Sequence, residues 1–98
     1  MANYEIIWSP RARITYRQVI EYLYEEWTIK EIKAFIHRTE QVVGYISDYP
    51  KLYPYSKTAR AYRCVVVKQV SLFYRIKPNH IELLVFWDNR QKPARLLL

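Results

Sequence analysis

The chain has one glycine and one cysteine in 98 residues, and both scarcities exclude chemistry. With a single glycine there is no glycine-rich loop to cradle a nucleotide phosphate, so P-loop hydrolysis is out. With Cys64 alone no intramolecular disulfide can form, and a stapled secreted scaffold is excluded. His37 and His80 stand isolated, and no residue pairs have zinc-ligand spacing, so neither a metal nor a cofactor is expected. No Ser/His/Asp motif supports nucleophilic catalysis. Long apolar runs are missing, so no membrane span and no membrane partner is expected. The opening MANYEIIWSP lacks the basic start and the apolar length of a signal peptide, and the expectation is a soluble cytoplasmic protein. Repeats, low-complexity tracts and linkers are absent. Residues 1–98 read as a single domain, since two cores in this length would each be too small.

What is present is aromatic and basic. Hydrophobic residues make up 51% of the chain, with ten tyrosines and three tryptophans, enough for a folded core. The net charge is +7 and it is unevenly placed. From residue 51 onward ten Lys/Arg face two acids, Glu82 and Asp88, so this half is +8. The first fifty residues carry six basic and seven acidic groups, or −1. Such asymmetry points to a polyanionic or acidic partner for the second half.

Tyr4 to Trp8 reads as a strand. Ser9-Pro10 stops it and starts a helix, with Ser9 as N-cap and Pro10 in the first turn. Ala12, Tyr16, Val19, Ile20, Leu23 and Trp27 recur at helical spacing, so this helix should run from about Pro10 to Trp27. Arg17 and Glu21 are spaced for an i,i+4 pair on its solvated side. Thr28-Ile29-Lys30-Glu31 is a capping box that turns the chain into a second helix. Ile32, Phe35, Ile36, Val42, Val43 and Ile46 give its apolar face. Pro50 ends it near Asp48, and Gly44 within it suggests a close helix contact. Residues 49–60 read as a long loop. Three strands follow, at Tyr62–Val67, Val70–Lys77 and Ile81–Asp88, the last two joined by the turn Lys77-Pro78-Asn79-His80. The order is β-α-α-β-β-β, an α+β domain with an antiparallel sheet packed against an N-terminal helical hairpin. One sheet face should meet the helices. The other should carry Arg75 and Lys77 and lie partly open.

With metals and nucleotide loops excluded, the chemistry left is a basic, aromatic surface. Lys57, Arg60, Arg63, Arg75, Lys77 and Lys92 are the candidates to meet nucleic-acid phosphates. Tyr53, Tyr55, Tyr62 and Trp87 are candidates to stack on bases, with Tyr62 and Trp87 alternatively core residues. Metal-free RNA cleavage needs a charge stabiliser for the phosphorane and a proton donor. Arg63, Arg75 and Arg90 are the candidate catalytic charges. The acid/base is not identified: Tyr74 falls on the buried face, His80 in a turn, and Asp88 has the wrong ordinary pKa. Cys64, inside a strand, reads as a buried thiol.

Three stretches carry a resemblance. YEIIWSPRA stands before a long helix. The second helix then runs into Ile46-Ser47-Asp48-Tyr49-Pro50, Tyr53-Pro54 and the strand Tyr62-Arg63-Cys64-Val65-Val66. Last come Leu72-Phe73-Tyr74-Arg75-Ile76 and Ile81 to Gln91. Their order and spacing, over nearly the whole chain, resemble the RelE/ParE superfamily of toxins from bacterial type II toxin–antitoxin modules. The resemblance implies a growth-inhibiting toxin encoded beside an acidic antitoxin that neutralises it. It implies one of two targets: ribosome-bound mRNA, cleaved in the A site, or DNA gyrase, poisoned by binding. The RNase members place basic residues on the sheet, which Arg63 and Arg75 match. They also place a Tyr or His near the C-terminal end, where this chain has Trp87-Asp88-Asn89-Arg90-Gln91-Lys92-Pro93. Both targets therefore stand, beside a third reading from another class: a non-catalytic nucleic-acid or protein-binding module on the same fold.

Overall fold

The structure is a computed structural model that describes residues 3–91 and 95–98. Its elements are β1 (Glu5–Trp8), α1 (Pro10–Glu26), α2 (Ile29–Asp48), β2 (Tyr55–Ser56), β3 (Ala61–Val67), β4 (Val70–Ile76) and β5 (His80–Asp88). Local chemistry sets the helix boundaries. Ser9 Oγ accepts the Ala12 N–H at 3.0 Å and Pro10 opens α1. Thr28 Oγ1 accepts the Glu31 N–H at 3.3 Å while Glu31 Oε1 accepts the Thr28 N–H at 3.2 Å, so the capping box is complete. Trp27 is the C-cap of α1 rather than its last residue.

The sheet has five strands in the order β1-β5-β4-β3-β2. It is mixed rather than antiparallel: β1 pairs with β5 in parallel, Glu5 to His80 through Trp8 to Leu83. The two helices between β1 and the later strands carry the chain across the sheet, which a parallel pairing needs. Inside the stretch read as a loop, Tyr55–Ser56 pairs antiparallel with Tyr62 and Ala61, adding a short edge strand. The Lys68-Gln69 turn closes the β3–β4 hairpin, where Val67 pairs with Val70. His80 is not a free turn residue; it begins β5. β5 lies between β1 and β4, and it is apolar on both faces because α1 packs on one and residues such as Phe73 and Leu96 on the other.

Both helices pack on one face of the sheet, α1 against β5 and α2 against β3. The core between the layers includes Phe35, Val42, Ile46, Cys64, Leu72, Tyr74, Ile81 and Leu83, all fully buried. Trp8, Tyr16, Phe35 and Phe86 form an aromatic cluster inside it, with centroid spacings of 5.0 to 6.5 Å. The expected contact at Gly44 is not made: a Cβ built there meets nothing within 4 Å. Arg17 and Glu21 form no ion pair; among the described residues Arg90–Asp88 is the one salt bridge.

β1 stops at Trp8, so β5 beyond Leu83 has no strand on that edge. Hydroxyls of the α1 segment take over there. Ser9 Oγ donates to the Leu84 carbonyl at 3.0 Å, and Thr15 Oγ1 accepts the Phe86 N–H at 2.9 Å. This covers an edge that would otherwise invite another strand. The outer sheet face carries a second, smaller core of Ala61, Phe73, Leu84, Val85 and Trp87, closed by Leu96. Part of the face read as open is therefore covered by the chain itself.

Candidate functional site

The outer face beside this second core holds the most unusual polar arrangement. Register places Arg63 opposite Phe73, Val65 opposite Ser71, and Ser71 opposite Trp87. Arg63 is half-buried and its guanidinium lies 5.8 Å from the Phe73 ring centroid. Its Nε donates to Ser71 Oγ at 3.0 Å and its Nη2 to Asn89 Oδ1 at 3.0 Å. Ser71, fully buried, donates in turn to Asn89 Oδ1 at 2.7 Å. Asn89 is fixed from behind: its Nδ2 donates to the Lys68 carbonyl at 3.1 Å and its backbone N–H to the Gln69 carbonyl at 2.8 Å. The guanidinium is thus held in one place by neutral acceptors. No carboxylate among the described residues lies within ion-pair distance of it.

A groove of about 420 Å³ opens beside Arg63 and is lined by Pro54, Tyr55, Ser56 and Val65 as well. Tyr55 is 53% exposed and its ring meets Tyr62 edge-on at 5.1 Å. The Arg63 N–H donates to the Pro54 carbonyl at 2.8 Å, which ties the groove's two walls together. Nearby, the turn from Ser56 to Arg60 is closed by Ser56 Oγ accepting the Ala59 N–H at 3.1 Å. Arg60 has φ of 55°, a left-handed conformation that costs a non-glycine residue about 1 kcal/mol or more. Arg75 Nε donates to the Arg60 carbonyl at 3.0 Å and holds this strained residue in place.

The three arginines read as catalytic do not converge. Arg63 reaches toward Asn89, away from Arg75, which is engaged with Arg60. Arg90 belongs to the helix side: Asp88 takes it at 2.8 Å, and it stacks 4.9 Å over the Tyr22 ring of α1. It also donates to Tyr22 Oη at 2.8 Å. Those hydrogen bonds from Arg90 hold the Asp88 carboxyl below its ordinary range and raise Arg90 itself, so neither is a proton shuttle near neutrality.

Of the other candidates, Lys57 and Arg60 are exposed on the β2–β3 turn, and Lys77 is half-buried at the β4–β5 turn. Lys92 lies outside the described residues. Trp87 is core, 8% exposed, and cannot stack on a base; its Nε1–H is buried with no acceptor among the described residues. Tyr62 is half-buried and stacks on Tyr74 at 5.4 Å. Tyr53 is half-buried, and burial followed by the neighbouring Cys64 pushes its phenol up to about 12. Tyr55 alone of the four is largely exposed, with its ring edge-on to Tyr62. Asn89 and Ser71 were not legible as site residues: a lone Asn after a strand looks like turn chemistry, and only the register shows that it meets Arg63. Among the described residues no cluster of His, Cys, Asp and Glu could hold a metal ion, and no helix is long and apolar enough to cross a membrane. No known family model matches the chain, and no curated protein sequence does.

Proposed function

We propose that the chain is a growth-inhibiting toxin of the RelE/ParE type, neutralised by a cognate acidic antitoxin and acting on ribosome-bound mRNA. The observation that carries this is Arg63: a half-buried cation on the outer sheet face with no carboxylate among the described residues within ion-pair distance. A guanidinium held in advance is suited to the charge that develops on a phosphate under attack by its own 2′-hydroxyl. The α+β architecture, with two helices on one face of a five-stranded sheet, is compatible with the resemblance. The excess of positive charge suits an acidic antitoxin.

Poisoning of DNA gyrase is the second reading. It is favoured by the divergence of Arg63, Arg75 and Arg90, since a binding surface needs no convergent set. Controlled expression in a bacterial host separates the readings when mRNA ends and gyrase supercoiling are followed together. Growth arrest with new 5′ ends inside coding frames is the expected result, with Arg63→Ala reducing cleavage about a hundredfold. Arrest with intact mRNA and trapped gyrase assigns the second target. Folded protein that causes no arrest removes the toxin reading and leaves a binding module on this fold.

A further inference from the structure

We infer that Asn89 and Ser71 are positioning residues that present the Arg63 charge, uncancelled, to a phosphate of single-stranded RNA. This rests on the RNA reading of the groove above. A surface arginine is usually mobile, and a half-buried one usually has a carboxylate beside it. Arg63 has neither property. Two of its nitrogens are taken by neutral oxygens, Ser71 Oγ and Asn89 Oδ1, each at 3.0 Å. Phe73 lies against the guanidinium, 5.8 Å from its carbon. The Nη1 group makes no hydrogen bond among the described residues.

The chemistry of position 89 is what matters. Asn and Asp have almost the same shape, and either offers Oδ1 to Arg63. Asp would also place a negative charge about 3 Å from the guanidinium and cancel it for any external anion. Asn supplies the geometry without the charge. Its Nδ2 adds a bond to the Lys68 carbonyl that Asp could not make, so the β3–β4 turn and the clamp hold each other. Ser71 is buried on the strand facing Arg63, and its hydroxyl hydrogen goes to Asn89 Oδ1, leaving a lone pair for Arg63 Nε. Phosphate is the ligand class because Arg63 has no carboxylate within ion-pair distance among the described residues and the half of the chain that carries it is +8.

The test uses a 12-nucleotide oligouridylate and the full chain, with binding followed by fluorescence anisotropy over a salt series and folding by thermal denaturation. One lost phosphate contact lowers the slope of log K against log salt by about 0.7 and weakens binding about tenfold. Arg63→Gln and Asn89→Asp should each show that loss, with Asn89→Asp still folding cooperatively. Asn89→Ala keeps the charge but frees the side chain. It should weaken binding severalfold with the slope unchanged, and it decides the matter should Asn89→Asp fail to fold. A purely structural role for Asn89 would not split affinity from slope in this way. Wild-type binding by Asn89→Asp, or by Asn89→Ala, overturns the clamp. Wild-type binding by Arg63→Gln, or no RNA binding by the unmodified chain at low salt, overturns the clamp together with the RNA reading of the groove. A chain that binds RNA through the clamp yet causes no growth arrest loses only the toxin reading.

Discussion

Replacing Tyr74 by Phe isolates one buried hydrogen bond. Tyr74 is fully buried on β4, its ring lies nearly parallel to that of Tyr62 at 17°, and its hydroxyl donates to the Pro50 carbonyl at 2.7 Å. That bond ties the segment after α2 to the middle of the sheet. Phe keeps the ring and its packing, so the change removes one donor and leaves the Pro50 carbonyl without it. A bond of this kind is worth about 1 kcal/mol net, and Pro50 is half-buried, so water replaces only part of it. The expected loss is about 1–1.5 kcal/mol, or roughly 4–12 °C in Tm for a domain of this size. Urea denaturation should show a lower midpoint with an unchanged slope. The same variant has a signature at high pH. Burial, before any neighbouring charge, raises the Tyr74 phenol in the folded state, and it pushes Tyr53 up to about 12. The unfolded phenols ionise near 10, so their contribution is complete below that pH and is lost as pH rises through the folded values. Wild-type stability should therefore fall above about pH 10, and Tyr74→Phe should fall less steeply over that window. A stability change under about 0.3 kcal/mol, or an alkaline limb unchanged from wild type, would refute the reasoning.

Gly44→Ala should stabilise the chain by about 1 kcal/mol, seen as a Tm higher by about 4–8 °C, because α2 gains propensity and the new methyl group meets no neighbour; a lower Tm would show that this surface is covered in solution. The Asp88 carboxyl is held below its usual range by the hydrogen bonds from Arg90, so its contribution is present above about pH 4 and disappears as pH falls through the folded value. Asp88→Asn should remove that part of the acid limb in a pH series of denaturation curves, and an identical limb in the variant would count against the Asp88–Arg90 clamp.

The helix boundaries were legible because their causes are local. Ser9, Pro10, Thr28, Glu31 and Pro50 act within a turn of their own positions, and the structure has each doing what its type and spacing imply. The alternation in β4 likewise sorted Leu72 and Tyr74 from Ser71 and Phe73 before any pairing was known. The parallel pairing of β1 was not legible, since its partner begins at His80 and a four-residue apolar run has no mark of direction. Nor was β2, whose two residues are too few to show a period. Arg63 stood out as a basic residue in a strand, but Asn89 and Ser71 carry no signal of their own. They become partners only when the β3–β4 and β4–β5 registers bring positions 63, 71 and 89 to one place.

Counting charge from residue 51 onward treats ten cations as equivalent, and the structure shows that they are not. Only two acids are available in that half. Asp88 is held by Arg90 on the helix side, and Glu82 stands opposite Arg75 in the β4–β5 register. Arg75 in turn uses its Nε to hold the strained carbonyl of Arg60. What remains for Arg63 is a set of uncharged oxygens, two on side chains that cannot titrate near neutrality. Its guanidinium is therefore held in a fixed position by neutral acceptors. An Asp at position 89 would pair a strand arginine directly, at the loss of the bond from Nδ2 to the Lys68 carbonyl. Asn there also suits an anion supplied from outside, which is why the Asn89→Asp exchange, nearly silent in shape, separates a structural arginine from a functional one.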